Sequence, residues 1–140
     1  MRKLRRRINE INLDLSKQMK DFTDWSKSMV KYMHERGITF MAGTDTPIGF
    51  LVPGLSLHQE IHQLNEAGLS NLEALKTATI NPSKYFNLQD SLGRIKNNYI
   101  ADLIILDKNP LDDIRNTKSI KAVIKDGKYL DRKYLDSIVR

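Results

Sequence analysis

The chain has 140 residues and a mass of 16.2 kDa, which suits one compact domain or part of a larger one. Its composition is globular, 40% hydrophobic and 29% charged, and no run approaches the roughly 18 apolar residues that argue for a spanning helix. The absence of cysteine removes disulfide frameworks, Cys-ligated zinc and thiol catalysis together.

The net charge of +6 is unevenly placed: residues 1–40 hold ten Lys/Arg against five Asp/Glu, and residues 41–140 thirteen against twelve. Much of the excess lies in Met1-Arg2-Lys3-Leu4-Arg5-Arg6-Arg7. No apolar region follows it, so it does not read as a secretory signal, and the default location is cytoplasmic. A basic arm of this kind suits nucleic acid or an acidic surface. No nucleic-acid-binding motif follows, so the expectation is a solvated helix start.

In chain order, residues 8–36 read as one long amphipathic helix. Ile8, Leu15, Met19, Phe22, Met29, Val30 and Met33 recur at helical spacing with polar residues between them. Trp25 lies at helical spacing from Phe22 and Met29 and reads as core or interface. Gly37 falls where a C-terminal cap is wanted. The run Ile38-Thr39-Phe40-Met41-Ala42 fits a strand covered on both faces, as in a parallel sheet. A loop of 14 residues, 43–56, carries Pro47, Gly49, Pro53 and Gly54, and loops of that length are commonly functional or disordered. A second helix is expected from near Leu57 to Gly68, with Leu57, Ile61 and Leu64 inward. Ser70-Asn71-Leu72-Glu73 is a capping box, opening a third helix with Leu72, Leu75 and Ala78 or Thr79 inward. Asn81-Pro82 ends that helix and opens another short turn with Pro82 at its first position. From Ser91 the pattern changes to strands: a short one at residues 92–95, a stronger one at 101–106, and a hairpin over 120–130 turning at Asp126-Gly127. Both the single buried strand and these few later strands look unfinished.

The sharpest local feature is Ala42-Gly43-Thr44-Asp45-Thr46-Pro47 directly after the buried run. In α/β folds ligands bind at the carboxyl ends of parallel strands, where Asp45 is placed to bind metal or move protons. The competing reading is an Asx turn that bonds its own loop. His58-Gln59-Glu60-Ile61-His62 puts two histidines four apart on one helix face. Glu60 follows His58 by two, so this is not the zincin pattern, and Glu60 is expected to face away. His62 is expected at the surface, and His58 beneath the long loop as a pocket residue. His34, near a helix C-terminus, reads as structural, as does Asp102. Phosphate loops, dinucleotide fingerprints and a Gly-x-Ser-x-Gly elbow do not occur.

Taken in order, Ala42-Gly43-Thr44-Asp45, Leu57-His58-Gln59-Glu60, Glu66-Ala67-Gly68-Leu69-Ser70, Glu73-Ala74-Leu75-Lys76, Ala78-Thr79-Ile80-Asn81-Pro82, Gly93-Arg94-Ile95, Ala101-Asp102-Leu103-Ile104-Ile105-Leu106-Asp107, Asn109-Pro110-Leu111 and Val123-Ile124-Lys125-Asp126-Gly127-Lys128 closely resemble the amidohydrolase superfamily. The likeness runs from about residue 8 to 132. It is closest to the imidazolonepropionase-like and Xaa-Pro-dipeptidase-like branch. The resemblance implies an α/β fragment: the last βα unit of a metal-dependent (β/α)8 barrel within residues 1–90, then the C-terminal strands of a small β-sandwich within 91–140. It implies that residues 38–42 are the last barrel strand and that Asp45 is the catalytic aspartate. That aspartate binds a divalent metal, zinc by expectation, and takes a proton from the attacking water. Thr46 and His58 are expected to line the substrate pocket.

The family's His-x-His pair on the first strand, its bridging lysine or acid, and its histidines on the fifth and sixth strands have no counterpart here. Asn97-Asn98-Tyr99 replaces a usual Pro-Gly turn, and Asn98 can take the left-handed conformation. The chain is therefore expected to be inactive alone and to hold no metal tightly. Its expected activity as part of a whole is hydrolysis of a C–N bond in a cyclic amide or small peptide. Its expected partner is the missing barrel portion or a complementary chain. Self-association is the other expected contact. A non-catalytic interaction module using the basic N-terminal helix is the alternative.

Overall fold

The computed structural model describes residues 2–46, 49 and 51–138. The side chains of residues 2–4 and 6–11 lie outside the described set, and with them most of the basic arm and Ile8. The element order is α1 (Arg2–His34), α2 (Leu55–Glu66), α3 (Asn71–Thr77), α4 (Ile80–Tyr85), β1 (Leu103–Leu106), a 3-10 turn (Ile114–Lys118), β2 (Ile120–Lys125), β3 (Lys128–Asp131) and α5 (Arg132–Ile138). No described helix is long and apolar enough to cross a membrane.

The long amphipathic helix forms as expected, but its apolar stripe is largely uncovered. Val30 packs against the core, and Lys27 reaches Glu66 on α2 at 2.5 Å. Met19 is 72% exposed, Phe22 67% and Trp25 57%. Trp25 is thus not a core residue here. Its ring meets that of Phe22, with centroids 5.9 Å apart.

The core gathers Ile61, Leu69, Ala74 and Ile114, with Val30, Ala42, Leu64, Leu75 and Ala78 around them. The helix α2 begins at Leu55, two residues earlier than its apolar spacing indicated, and buries Ser56 and Ile61. Ser70 caps α3 as the sequence required: its hydroxyl accepts from the Glu73 amide while the Glu73 carboxylate accepts from the Ser70 amide. Of the expected inner face of α3, Leu75 and Ala78 pack against the core, but Leu72 does not. Ala74 and Thr77 are fully buried, whereas Leu72 is exposed; the small residues take the positions where α3 meets α2. Pro82 stands third in α4, not first. This is tolerated because the first-turn amides have no partner inside the helix.

Residues 38–42, expected as a strand, carry no regular secondary structure and pair with no strand among the described residues. Residues 92–95 form a bend instead of the expected short strand: Gly93 takes a φ of 84°, and Ile95 points into solvent at 88% exposure. The expected hairpin does form. β1, β2 and β3 make one antiparallel sheet in that order, with Lys125 opposite Lys128 across a turn in which Asp126 and Gly127 both have positive φ, as a type I′ turn requires. Ile104 and Ile105, neighbours that point to opposite faces of β1, are both exposed, so neither face of the strand is fully covered. Two elements had no signal in the apolar spacing. The 3-10 turn is capped by Asp113, and α5 buries no residue.

Candidate functional site

Residues 38–45 are held by three contacts from the helices that follow. The Asn81 side chain donates to the Phe40 carbonyl at 2.8 Å. The Ala42 amide donates to the Thr77 carbonyl at 3.0 Å. The Gly43 amide donates to Glu60 Oε1 at 2.8 Å. Asn81, expected to end α3 but found in the first turn of α4, therefore also anchors this segment. The capping box upstream sets the phase of α3 and so the position of Thr77.

Asp45 follows Gly43 by two residues and is exposed, with a φ of 52°. A short polar side chain is among the few that tolerate this left-handed conformation. The hydroxyls of Thr44 and Thr46 meet across it at 2.7 Å. This bond closes the turn that displays the Asp45 carboxylate.

Beside this turn lies an open cavity of about 510 Å³ lined by Thr44, Leu51, His58, His62, Arg115 and Lys118 among others. His58 sits on its wall, whereas Asp45 and Thr46 do not line it. His62, expected on the surface, shares the cavity with His58. Burial, and then the charge of Lys118, push the His58 pKa below the ordinary imidazole value, so at neutral pH the ring is uncharged. Its Nδ1 is buried with no partner among the described residues. His34 lies elsewhere, its Nε2 3.4 Å from Glu73 Oε1, in a structural position.

Glu60 is the residue that sequence reasoning missed. It does not face away: one carboxylate oxygen takes the Gly43 amide, and Oε2 is buried without a partner among the described residues. The only local signal was a carboxylate two positions from a pocket histidine. Its target lies 17 residues earlier, beyond the reach of helical periodicity.

Among the described residues no group of three or more His, Asp or Glu converges on a point that would hold a metal ion. One carboxylate at Asp45 does not fit a divalent metal, which takes three or more protein ligands. The residues present do not by themselves make such a centre.

Residues 22–130 match the amidohydrolase family, a stretch that takes in the three anchoring contacts, the Asp45 turn and the whole sheet up to Leu130. The chain belongs to that family, whose members are generally metal-dependent. It is similar to ochratoxinase of Aspergillus niger, at 37% identity over 89 residues that make up 62% of this chain and 18% of that protein. Adenine deaminase of Thermosipho africanus is 43% identical over 63 residues, 45% of this chain and 10% of that protein. Among solved structures, a Xaa-Pro dipeptidase with methionine bound in its active site superposes with a TM-score of 0.67 at 28% identity, covering 75% of this chain and 25% of that one. Molinate hydrolase gives 0.64 at 26% identity, covering 73% and 25%. The chain is thus a mixed α/β unit spanning about a quarter or less of the length of each of these relatives.

Proposed function

We propose that this chain supplies the C-terminal portion of an amidohydrolase that hydrolyses a C–N bond in a small peptide or cyclic amide. Residues 38–42 serve as the last strand of a (β/α)8 barrel, and β1–β3 as the closing strands of a small β-sandwich. Asp45 is the catalytic carboxylate, accepting the proton of the attacking water. A divalent metal, zinc by family resemblance, takes its remaining ligands from strands that these 140 residues do not contain. His58 lines the substrate pocket, and Thr46 shapes it from behind by holding Thr44. The likeness to a Xaa-Pro dipeptidase favours the dipeptidase-like side of the resemblance over the imidazolonepropionase-like side.

The observation that carries this reading is the carboxylate at the end of a segment whose two strand neighbours are lacking. The segment is anchored on its helix side through Phe40, Ala42 and Gly43, and Asp45 projects just past the last anchor. Uncovered apolar faces on α1 and β1 are what a barrel and a sandwich would bury.

The reading is tested by joining the chain, in trans or as a fusion, to the N-terminal barrel portion of a Xaa-Pro dipeptidase relative. Metal content and hydrolysis of Xaa-Pro dipeptides and N-acyl amides are then measured. Metal-dependent turnover exceeding that of either part alone is expected. A folded, metal-loaded assembly with no C–N hydrolysis across both substrate classes would overturn the reading.

A further inference from the structure

We infer that Glu60 is the positioning residue for Asp45, acting through the backbone of Gly43. The inference rests on the role proposed for Asp45, but the contact itself is independent of it. Of the three anchors from the following helices, the Gly43–Glu60 bond is the one nearest Asp45, and the Thr44–Thr46 hydroxyl contact then spans Asp45 itself.

A carboxylate that accepts a backbone amide makes a charge-assisted bond, stronger than a neutral one. Glu60 comes from the middle of α2 (Leu55–Glu66), whose next residue, Ile61, is locked in the core. The acceptor is therefore fixed to a rigid element, as precise placement of a reacting group demands. Glutamine at position 60 keeps an oxygen acceptor of the same reach. Alanine removes it and leaves Gly43 free to drift, carrying Asp45 with it. Misplacement of a reacting group by about 1 Å can cost on the order of a hundredfold in rate. Substrate affinity, set elsewhere in the pocket, has no reason to follow.

The test has two arms on Glu60→Ala and Glu60→Gln. In the 140-residue chain, amide hydrogen exchange at Gly43 is measured. Loss of a bond to a charged acceptor should speed it by about tenfold or more in Glu60→Ala, with Glu60→Gln staying close to wild type and exchange in β2 unchanged in both. In the joined assembly, Glu60→Ala should lower kcat with KM unchanged, and Glu60→Gln should restore most of it.

Gly43 exchange that is indifferent to Glu60→Ala, or a Glu60→Gln variant as impaired as Glu60→Ala in both arms, would overturn the positioning role. If Gly43 exchange responds as expected while Asp45→Asn leaves turnover intact, the anchor stands and the reading of Asp45 falls. The two failures are thereby told apart.

Discussion

Asp102 Oδ1 accepts the backbone amide of Asp126 at 2.8 Å across 24 residues, fastening the entry of β1 to the β2–β3 turn. Its other oxygen takes Lys125 Nζ at 2.8 Å. Together the two bonds, the backbone one first, hold the Asp102 carboxyl below the usual carboxylate range. Asp102→Ala should speed amide exchange at Asp126 and in the hairpin while leaving α2 and α3 unchanged. Equal loosening of both regions, or no change at the turn, would show that this carboxylate does not organise the sheet.

Acid should weaken the protein through several such groups, each modestly because all are at least partly exposed. Asp113 is lowered from 3.8 to about 2, first by the Arg115 side chain and then by the Arg115 amide. Glu73 is lowered by the Ser70 hydroxyl and amide, Glu66 by Lys27 and Asp136 by Arg132. Each folded pKa lies below its unfolded value, so the unfolded state binds protons first. The stabilisation is complete above the unfolded pKa and is lost as pH falls through the folded one. Stability should therefore fall progressively from the ordinary carboxylate range towards pH 2, and Asp113→Asn should flatten the lowest part of that curve. Urea midpoints measured at steps of pH check this, and a curve unaltered by Asp113→Asn contradicts it.

Two glycines separate the cost of backbone strain from that of crowding. At Gly93, φ 84°, an added methyl would lie 2.6 Å from Ser83 Oγ and 2.9 Å from the Thr79 carbonyl oxygen. At Gly127, φ 77°, nothing lies within 4 Å. Gly127→Ala should cost about 1–2 kcal/mol, the left-handed penalty alone. Gly93→Ala adds an overpacking cost of about 1–3 kcal/mol, because the carbonyl it meets belongs to the backbone at the start of α4. Equal shifts in the urea midpoint would mean that the 92–95 bend does not press on α4.

The uncovered stripe on α1 has its own consequence. Leu15, Met19, Phe22 and Met29 share one side of the helix, and all are exposed. Contiguous apolar surface of this kind drives association. Sedimentation should show the 140-residue chain self-associating, and Met19→Glu with Phe22→Glu should shift it towards monomer. A monodisperse wild-type monomer with a sharp melt would instead favour an independent module.

These outcomes mark what could be read from the residues and what could not. The Ser70–Glu73 capping box and the Asp126-Gly127 turn were legible because each is complete within four residues, and the structure reproduces both. The buried Ala74 and Thr77 were not, since spacing rewards large apolar side chains while close packing selects small ones. Gly93 looked like part of a strand because its neighbours Leu92 and Ile95 are apolar. Its positive φ, and the close approach of Ser83 and Thr79 that leaves no room for a side chain there, are not revealed by the local sequence. Asp45 was visible as a carboxylate following an apolar run. What holds it in place, Glu60 from α2, required the tertiary fold.

The most direct test of the account is the turnover of Asp45→Asn in the joined, metal-loaded assembly. Asparagine keeps the size of aspartate and an oxygen that can face a metal, but it cannot take a proton from water. General-base catalysis contributes about 10²–10⁴-fold, so kcat should fall by at least about a hundredfold with KM little changed. Retention of more than about a tenth of wild-type turnover, an effect smaller than any such base provides, would contradict the assignment of Asp45 as the catalytic carboxylate.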